Sequence, residues 1–134
     1  MSNPVELFSR VMDAASQKKL LALNNAKVNE FVAYAIELCQ PKTVFVGDDS
    51  AADAAYCRMQ AIDTLEELQL GTNGHTAHFD GYFDQARKKD VTRYLVPAGV
   101  ELDPNLEQMP RDEGIKEMES LQRDAYKGRE MFVR

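Results

Sequence analysis

Glu37-Leu38-Cys39-Gln40-Pro41-Lys42-Thr43-Val44-Phe45-Val46-Gly47-Asp48-Asp49-Ser50 decides how this chain folds, because the pattern passes there from helix to strand to turn. Upstream of it, Val28, Phe31, Val32, Ala35, Ile36 and Cys39 recur at spacings of three and four, the signature of an amphipathic helix. Pro41 cannot continue that helix, since its ring removes an N–H and clashes with the preceding turn. Thr43 to Val46 are β-branched or aromatic and predict a short strand; Gly47-Asp48-Asp49-Ser50 closes it. Ser50 can cap a further helix carrying Ala51, Ala54, Ala55, Met59, Ile62, Leu65 and Leu68, which Gly71-Thr72-Asn73-Gly74 would end.

Working outward, Ser2 or Asn3 before Pro4 predicts a helix start. Val5, Phe8, Val11, Met12 and Ala15 share one face, and the helix is expected to run to about Leu23. Between Gly74 and Asp90 no period is clear, although a helical turn fits Asp84 to Lys88. Val91 to Val96 predicts a strand, and Val100 to Pro110, with its prolines and acids, an exposed connection. A last helix is expected from Asp112 to about Tyr126, with Ile115, Met118, Leu121 and Ala125 inward. Lys127-Gly128 ends it, and Arg129 to Arg134 alternate polar and apolar like a strand. A sequence stopping inside such a run reads as a piece of a larger protein, its last strand an unpaired edge. The class is α/β: several helices packed on a small mixed sheet.

At 134 residues and 44% apolar content the chain suits one domain with a real core. Its 22 Asp and Glu against 16 Lys and Arg argue against nucleic-acid and anionic-membrane partners. Cys39 and Cys57 fit buried, reduced thiols rather than a disulfide framework or a C-x-x-C metal motif. Met12, Met59, Met109, Met118 and Met131 are expected to fill the core. No signal peptide or membrane-length apolar run is present, so the cytoplasm is the expected compartment.

Chemistry concentrates in Asp84-Gln85-Ala86-Arg87-Lys88-Lys89-Asp90, where three adjacent cations follow His75, His78 and Tyr82. A guanidinium grips a carboxylate or phosphate with two parallel hydrogen bonds, so the cluster can hold an anion. The alternative is a solvated basic turn. His75 and His78 lack a third partner at zinc spacing and read as turn or interface residues, with Asp80 the one further candidate ligand. Asp48 and Asp49 after a strand also suggest a receiver-type acidic pocket. That fold needs more strands in alternation than this chain offers.

The order Glu37-Leu38-Cys39-Gln40-Pro41, strand, Gly47-Asp48-Asp49-Ser50, helix, Asp84-Gln85-Ala86-Arg87, strand, and Lys127-Gly128-Arg129-Glu130-Met131-Phe132-Val133 resembles the N-terminal part of GTP-type phosphoenolpyruvate carboxykinases. That family has Leu-Cys-x-Pro, a strand leading to Asp-Gly-Ser, Asp-x-Ala-Arg, and Lys-Gly-Arg-Thr-Met-Tyr-Val in the same order. The resemblance spans positions 27 to 134. It implies the N-terminal segment of a larger carboxykinase fold, whose parent turns oxaloacetate and GTP into phosphoenolpyruvate and carbon dioxide with manganese or magnesium. It implies that Arg87 contacts the substrate carboxylate, that Arg129 supports sheet entry or an inter-domain contact, and that Asp48 and Asp49 are turn and capping residues. The family's phosphate loop and metal ligands would lie beyond position 134, leaving no catalytic, metal or nucleotide residue in this segment. No G-x-x-x-x-G-K motif occurs in the chain. Two departures mark a divergent branch: Asp80-Gly81-Tyr82-Phe83-Asp84-Gln85-Ala86-Arg87 replaces the family's Asp-Pro-x-Asp-Val-Ala-Arg, and Glu113 to Glu119 replace a Ser-rich, Trp-containing stretch. The rival reading is a stand-alone, non-enzymatic α/β module that binds a small anion or a protein through Arg87 to Lys89.

Overall fold

A computed structural model describes residues 3–81 and 92–134. The chain divides into two compact units, one formed by Met1–Tyr56 with Leu121–Arg134 and one by Cys57–Ser120.

The first unit opens with α1, Pro4–Val11, whose Asn3 side chain accepts from the Val5 N–H at 3.1 Å. The single helix expected as far as Leu23 is in fact two. Met12 is extended and bridges to Val44, and Asp13 then caps α2, Ala14–Ala22, by accepting from the Ser16 N–H at 2.7 Å. The apolar spacing ran through this break without interruption; the cap at Asp13 is what restarts the helix. Asn25 caps α3, Ala26–Cys39, and Gln40 ends it in the left-handed conformation just before Pro41. β1, Thr43–Val46, follows as expected, with Val44 and Val46 buried.

β6, Glu130–Val133, pairs with β1 in parallel, Val44 opposite Met131 and Val46 opposite Val133. The C-terminal strand therefore has a ladder on one side, which corrects the expectation of an unpaired strand. The turn before it is fastened to the end of α3, with the Asp124 N–H donating to the Leu38 carbonyl and the Tyr126 N–H to the Cys39 carbonyl, both at 3.0 Å. Phe8, Leu20, Val32, Ile36, Cys39, Val44, Val46 and Met131 form one core from three helices and both strands. Fully burying side chains of this size contributes about 1.5–3 kcal/mol each before entropy is charged against it. Phe31, assigned by its spacing to the inner face of α3, is 68% exposed.

α4, Ala51–Asp63, carries the chain into the second unit. It stops earlier than the spacing predicts, because Leu65 adopts a left-handed φ of 62° and breaks the turn. Leu68 is then in a strand: β2, Leu68–Gln69, pairs antiparallel with β3, Thr76–Ala77, around Gly71 to Gly74. The glycine-rich stretch thus makes a hairpin rather than a helix end, with Gly74 at φ 76° supplying the conformation that other residues resist. β4, Tyr94–Val96, runs parallel to β5, Gln108–Pro110, and α5, Arg111–Gln122, follows directly. Gly114 of α5 faces Leu95 of β4 so closely that a Cβ there would meet the leucine methyls.

The α/β class is as expected, with the strands among the described residues forming three separate pairs. Met12 and Met131 are core residues, whereas Met59 and Met118 are half exposed and do not fill it. Cys39 is buried and Cys57 only partly so; both thiols are free. The expected helical turn at Asp84 to Lys88 lies outside the described residues.

Candidate functional site

Arg87, the residue the sequence singles out for substrate, lies outside the described residues, as do Lys88 and Lys89.

In a parallel pair, the carboxyl ends of the strands are where α/β folds place ligands, because the loops there diverge. At the carboxyl end of β1 the chain enters the Gly47 to Ser50 turn. The Ser50 N–H donates to Asp48 Oδ1 at 2.9 Å, the Asp53 N–H to Ser50 Oγ at 3.2 Å, and the Asp48 N–H to Asp53 Oδ2 at 2.8 Å. Asp48 thus closes the turn and Ser50 caps α4, as read from the sequence. Lys19 of α2 completes the arrangement, its Nζ 3.2 Å from Asp48 Oδ2 and bonded to Asp53 Oδ2. The Ser50 hydroxyl and N–H, then Lys19, hold the Asp48 carboxyl well below the usual carboxylate range. The bond to Asp53, and then Asp48, raises the Lys19 ammonium above its ordinary value. Both charges stay in place at neutral pH, so the cluster locks a turn and presents no free acid or base.

Lys19 and Asp53 were not found from the sequence. Ser50-Ala51-Ala52-Asp53 does carry a capping-box spacing that could have nominated Asp53. Lys19 approaches from 34 residues away and leaves no local signal.

In the second unit, His75 sits in the hairpin loop, its carbonyl accepting from the Leu70 N–H at 3.0 Å. His78 Nδ1 lies 2.6 Å from the Glu66 carbonyl and its Nε2 3.3 Å from Asp80 Oδ1. The Glu66 carbonyl, and then the Asp80 charge, raise the His78 imidazole above its ordinary value. When protonated, His78 meets Asp80 as an ion pair, and His75 serves the turn. Among the described residues no three His, Cys, Asp or Glu side chains converge as metal ligands. Arg129 acts through its backbone: its N–H donates to the Tyr126 carbonyl at 2.9 Å and its carbonyl accepts from the Lys42 N–H at 2.8 Å, at the entry to the β1/β6 pair.

These features define an α/β domain whose parallel β1/β6 pair is tied to the end of α3 and closed at the carboxyl end of β1 by a capped, ion-paired turn. Residues 30–134 match the family model described as phosphoenolpyruvate carboxykinase N-terminal domain. The chain belongs to that family. It is 42% identical over 97% of its length to the phosphoenolpyruvate carboxykinase [GTP] of Thermococcus sibiricus, covering 21% of that protein. It is 40% identical over 98% of its length to that of Thermococcus kodakarensis, again covering 21%, and 44% identical over 87% to that of Sulfurisphaera tokodaii, covering 19%. The chain spans about a fifth of the length of the curated relatives it matches. No helix among the described residues is long and apolar enough to cross a membrane.

Proposed function

We propose that the chain is the N-terminal, substrate-binding part of a GTP-using phosphoenolpyruvate carboxykinase, which converts oxaloacetate and GTP to phosphoenolpyruvate, carbon dioxide and GDP in gluconeogenesis. The observation that carries this reading is the alignment of nearly the whole chain with proteins so named.

Arg87 grips a substrate carboxylate with the two-pronged hydrogen bonding a guanidinium provides. Held this way, oxaloacetate is oriented for loss of carbon dioxide. The carbon–carbon bonding pair passes into the enolate, whose oxygen then takes the γ-phosphoryl group. The described residues do not fit the manganese or magnesium ion the family implies, so no step is carried through a metal here. Nor does the chain have a phosphate loop of the G-x-x-x-x-G-K type, so GTP is assigned to the remainder of the parent. The partners of this segment are oxaloacetate or phosphoenolpyruvate and the rest of that enzyme, in the cytoplasm, with no nucleic acid or membrane involved.

The test is an assay with oxaloacetate, GTP and manganese, run on the 134-residue chain and on the protein encoded by its complete reading frame. The longer protein should turn over and the chain alone should not. Turnover by the chain above the metal-only background would refute the division of labour. A reading frame that stops at Arg134 would favour the stand-alone anion-binding module.

A further inference from the structure

We propose that Asn73-Gly74, in the β2/β3 hairpin of the second unit, is a site of spontaneous covalent modification. The backbone nitrogen of Gly74 closes on the Asn73 side chain, and the asparagine becomes aspartate or isoaspartate.

The chain has six asparagines, and Asn73 alone is followed by glycine. Of the others, Asn3 and Asn25 cap α1 and α3, Asn105 donates through Nδ2 to Asp103 at 2.8 Å, and Asn29 Oδ1 is buried. A Cβ on the following residue shields the attacking nitrogen and stiffens the backbone, and glycine has none. A Cβ built at Gly74 would meet nothing within 4 Å, so the space beside this residue is open.

The hairpin is closed by the His75 N–H donating to the Thr72 carbonyl at 3.1 Å and by the Leu70 N–H donating to the His75 carbonyl at 3.0 Å. Neither bond uses the peptide between Asn73 and Gly74, which can therefore rotate while both persist. The φ values, negative at Asn73 and 76° at Gly74, have the signs of a type II turn, and glycine tolerates either sign at its position. Rotation that brings the Gly74 nitrogen to Asn73 Cγ is thus cheap. Arg58 Nη1 lies 3.5 Å from the Gly74 carbonyl oxygen and 3.3 Å from Thr76 Oγ1, placing a positive charge near the nitrogen that must lose its proton. Asn73 and Gly74 are both exposed, so hydroxide and water reach them.

Hydroxide removes the Gly74 amide proton. The bond from that nitrogen to Cγ forms and the Cγ–Nδ2 bond breaks, releasing ammonia, which takes up a proton from water, and leaving a five-membered imide. Water then adds to one imide carbonyl and breaks its bond to nitrogen, which regains a proton. Opening at Cγ gives aspartate; opening at the backbone carbonyl gives isoaspartate. Either product adds a negative charge to the loop, and isoaspartate also lengthens the backbone where β2 and β3 set their register. The site is independent of the role given to Arg87.

The test is to incubate the full chain at mildly alkaline pH in water labelled with the heavy oxygen isotope and to map its peptides by mass spectrometry. Asn73 should convert to labelled aspartate and isoaspartate about tenfold or more faster than each of the other five asparagines, and Gly74→Ala should slow it by a similar factor. An Asn73 rate no higher than the others, products without label, or an unchanged rate in Gly74→Ala would each overturn the proposal. So would a native rate more than about tenfold below that of the chain unfolded in guanidinium, since the turn would then protect Asn73 rather than leave it free to close. That comparison uses the native sequence and decides alone should Gly74→Ala fail to fold.

Discussion

The Ser16 hydroxyl accepts a hydrogen bond from the backbone N–H of Val46 at 3.1 Å, and both residues are buried. β1 has β6 along one edge; on the other, the Met12 bridge and this hydroxyl take the place of a third strand. An N–H buried at a strand edge without a partner is costly, so a polar residue at the core end of α2 is stabilising there.

Ser16→Ala should therefore destabilise the chain by about 1–3 kcal/mol, the cost of stranding a buried donor. Urea unfolding followed by circular dichroism checks it. A loss within about 0.5 kcal/mol, as for a surface substitution, would show that the hydroxyl is dispensable.

The Lys19, Asp48 and Asp53 cluster should shape both limbs of the stability profile. Asp48 has a lowered value, so its contribution is complete above the ordinary 3.8 and is lost as pH falls through the lowered value. Lys19 has a raised value, so its contribution is complete below the ordinary 10.5 and is lost as pH rises through the raised value. Lys19→Met should lower stability at neutral pH and flatten the alkaline limb, with a smaller effect on the acid one, where the Ser50 bonds to Asp48 persist. Unfolding free energy against pH for both proteins tests this. Parallel profiles would contradict it.

His78 titrates in the opposite sense to Asp48. With its value raised by the Glu66 carbonyl and Asp80, its contribution is complete below the ordinary 6.5 and is lost as pH rises through the raised value. A ring-proton titration should place the His78 midpoint above 6.5, and Asp80→Asn should lower it. Because both side chains are largely exposed, added salt should shrink the difference. A wild-type midpoint at or below 6.5 would show that the pair does not form in solution.

Local chemistry made much of the fold legible. Asn25, Pro41, Ser50 and Gly128 mark element ends through their backbones and side chains, and the structure uses each near the place its residue type suggests. The failures are long-range or competitive. Periodicity in α1 and α2 could not reveal that Met12 leaves the helix to bridge Val44, because the same apolar residue suits both states. Gly71 to Gly74 ends a helix or turns a hairpin on equal sequence grounds, and the pairing of β2 with β3 decided it. The ionic lock at the end of β1 needed Lys19 brought from another helix. The substrate role proposed for Arg87 rests on the family resemblance of several short motifs in order, and Arg87 lies outside the described residues.

The most direct test of the substrate role proposed for Arg87 is kcat/KM for oxaloacetate in the protein encoded by the complete reading frame, comparing Arg87→Lys with Lys88→Ala. Lysine keeps the charge but loses the paired grip, so Arg87→Lys should cost about 1.5–3 kcal/mol of transition-state stabilisation. Lys88→Ala should leave the rate near that of the native enzyme, and the dissociation constant for GTP should hardly change in either. If Arg87→Lys behaves like Lys88→Ala, the basic segment is a solvated turn and Arg87 does not hold the substrate.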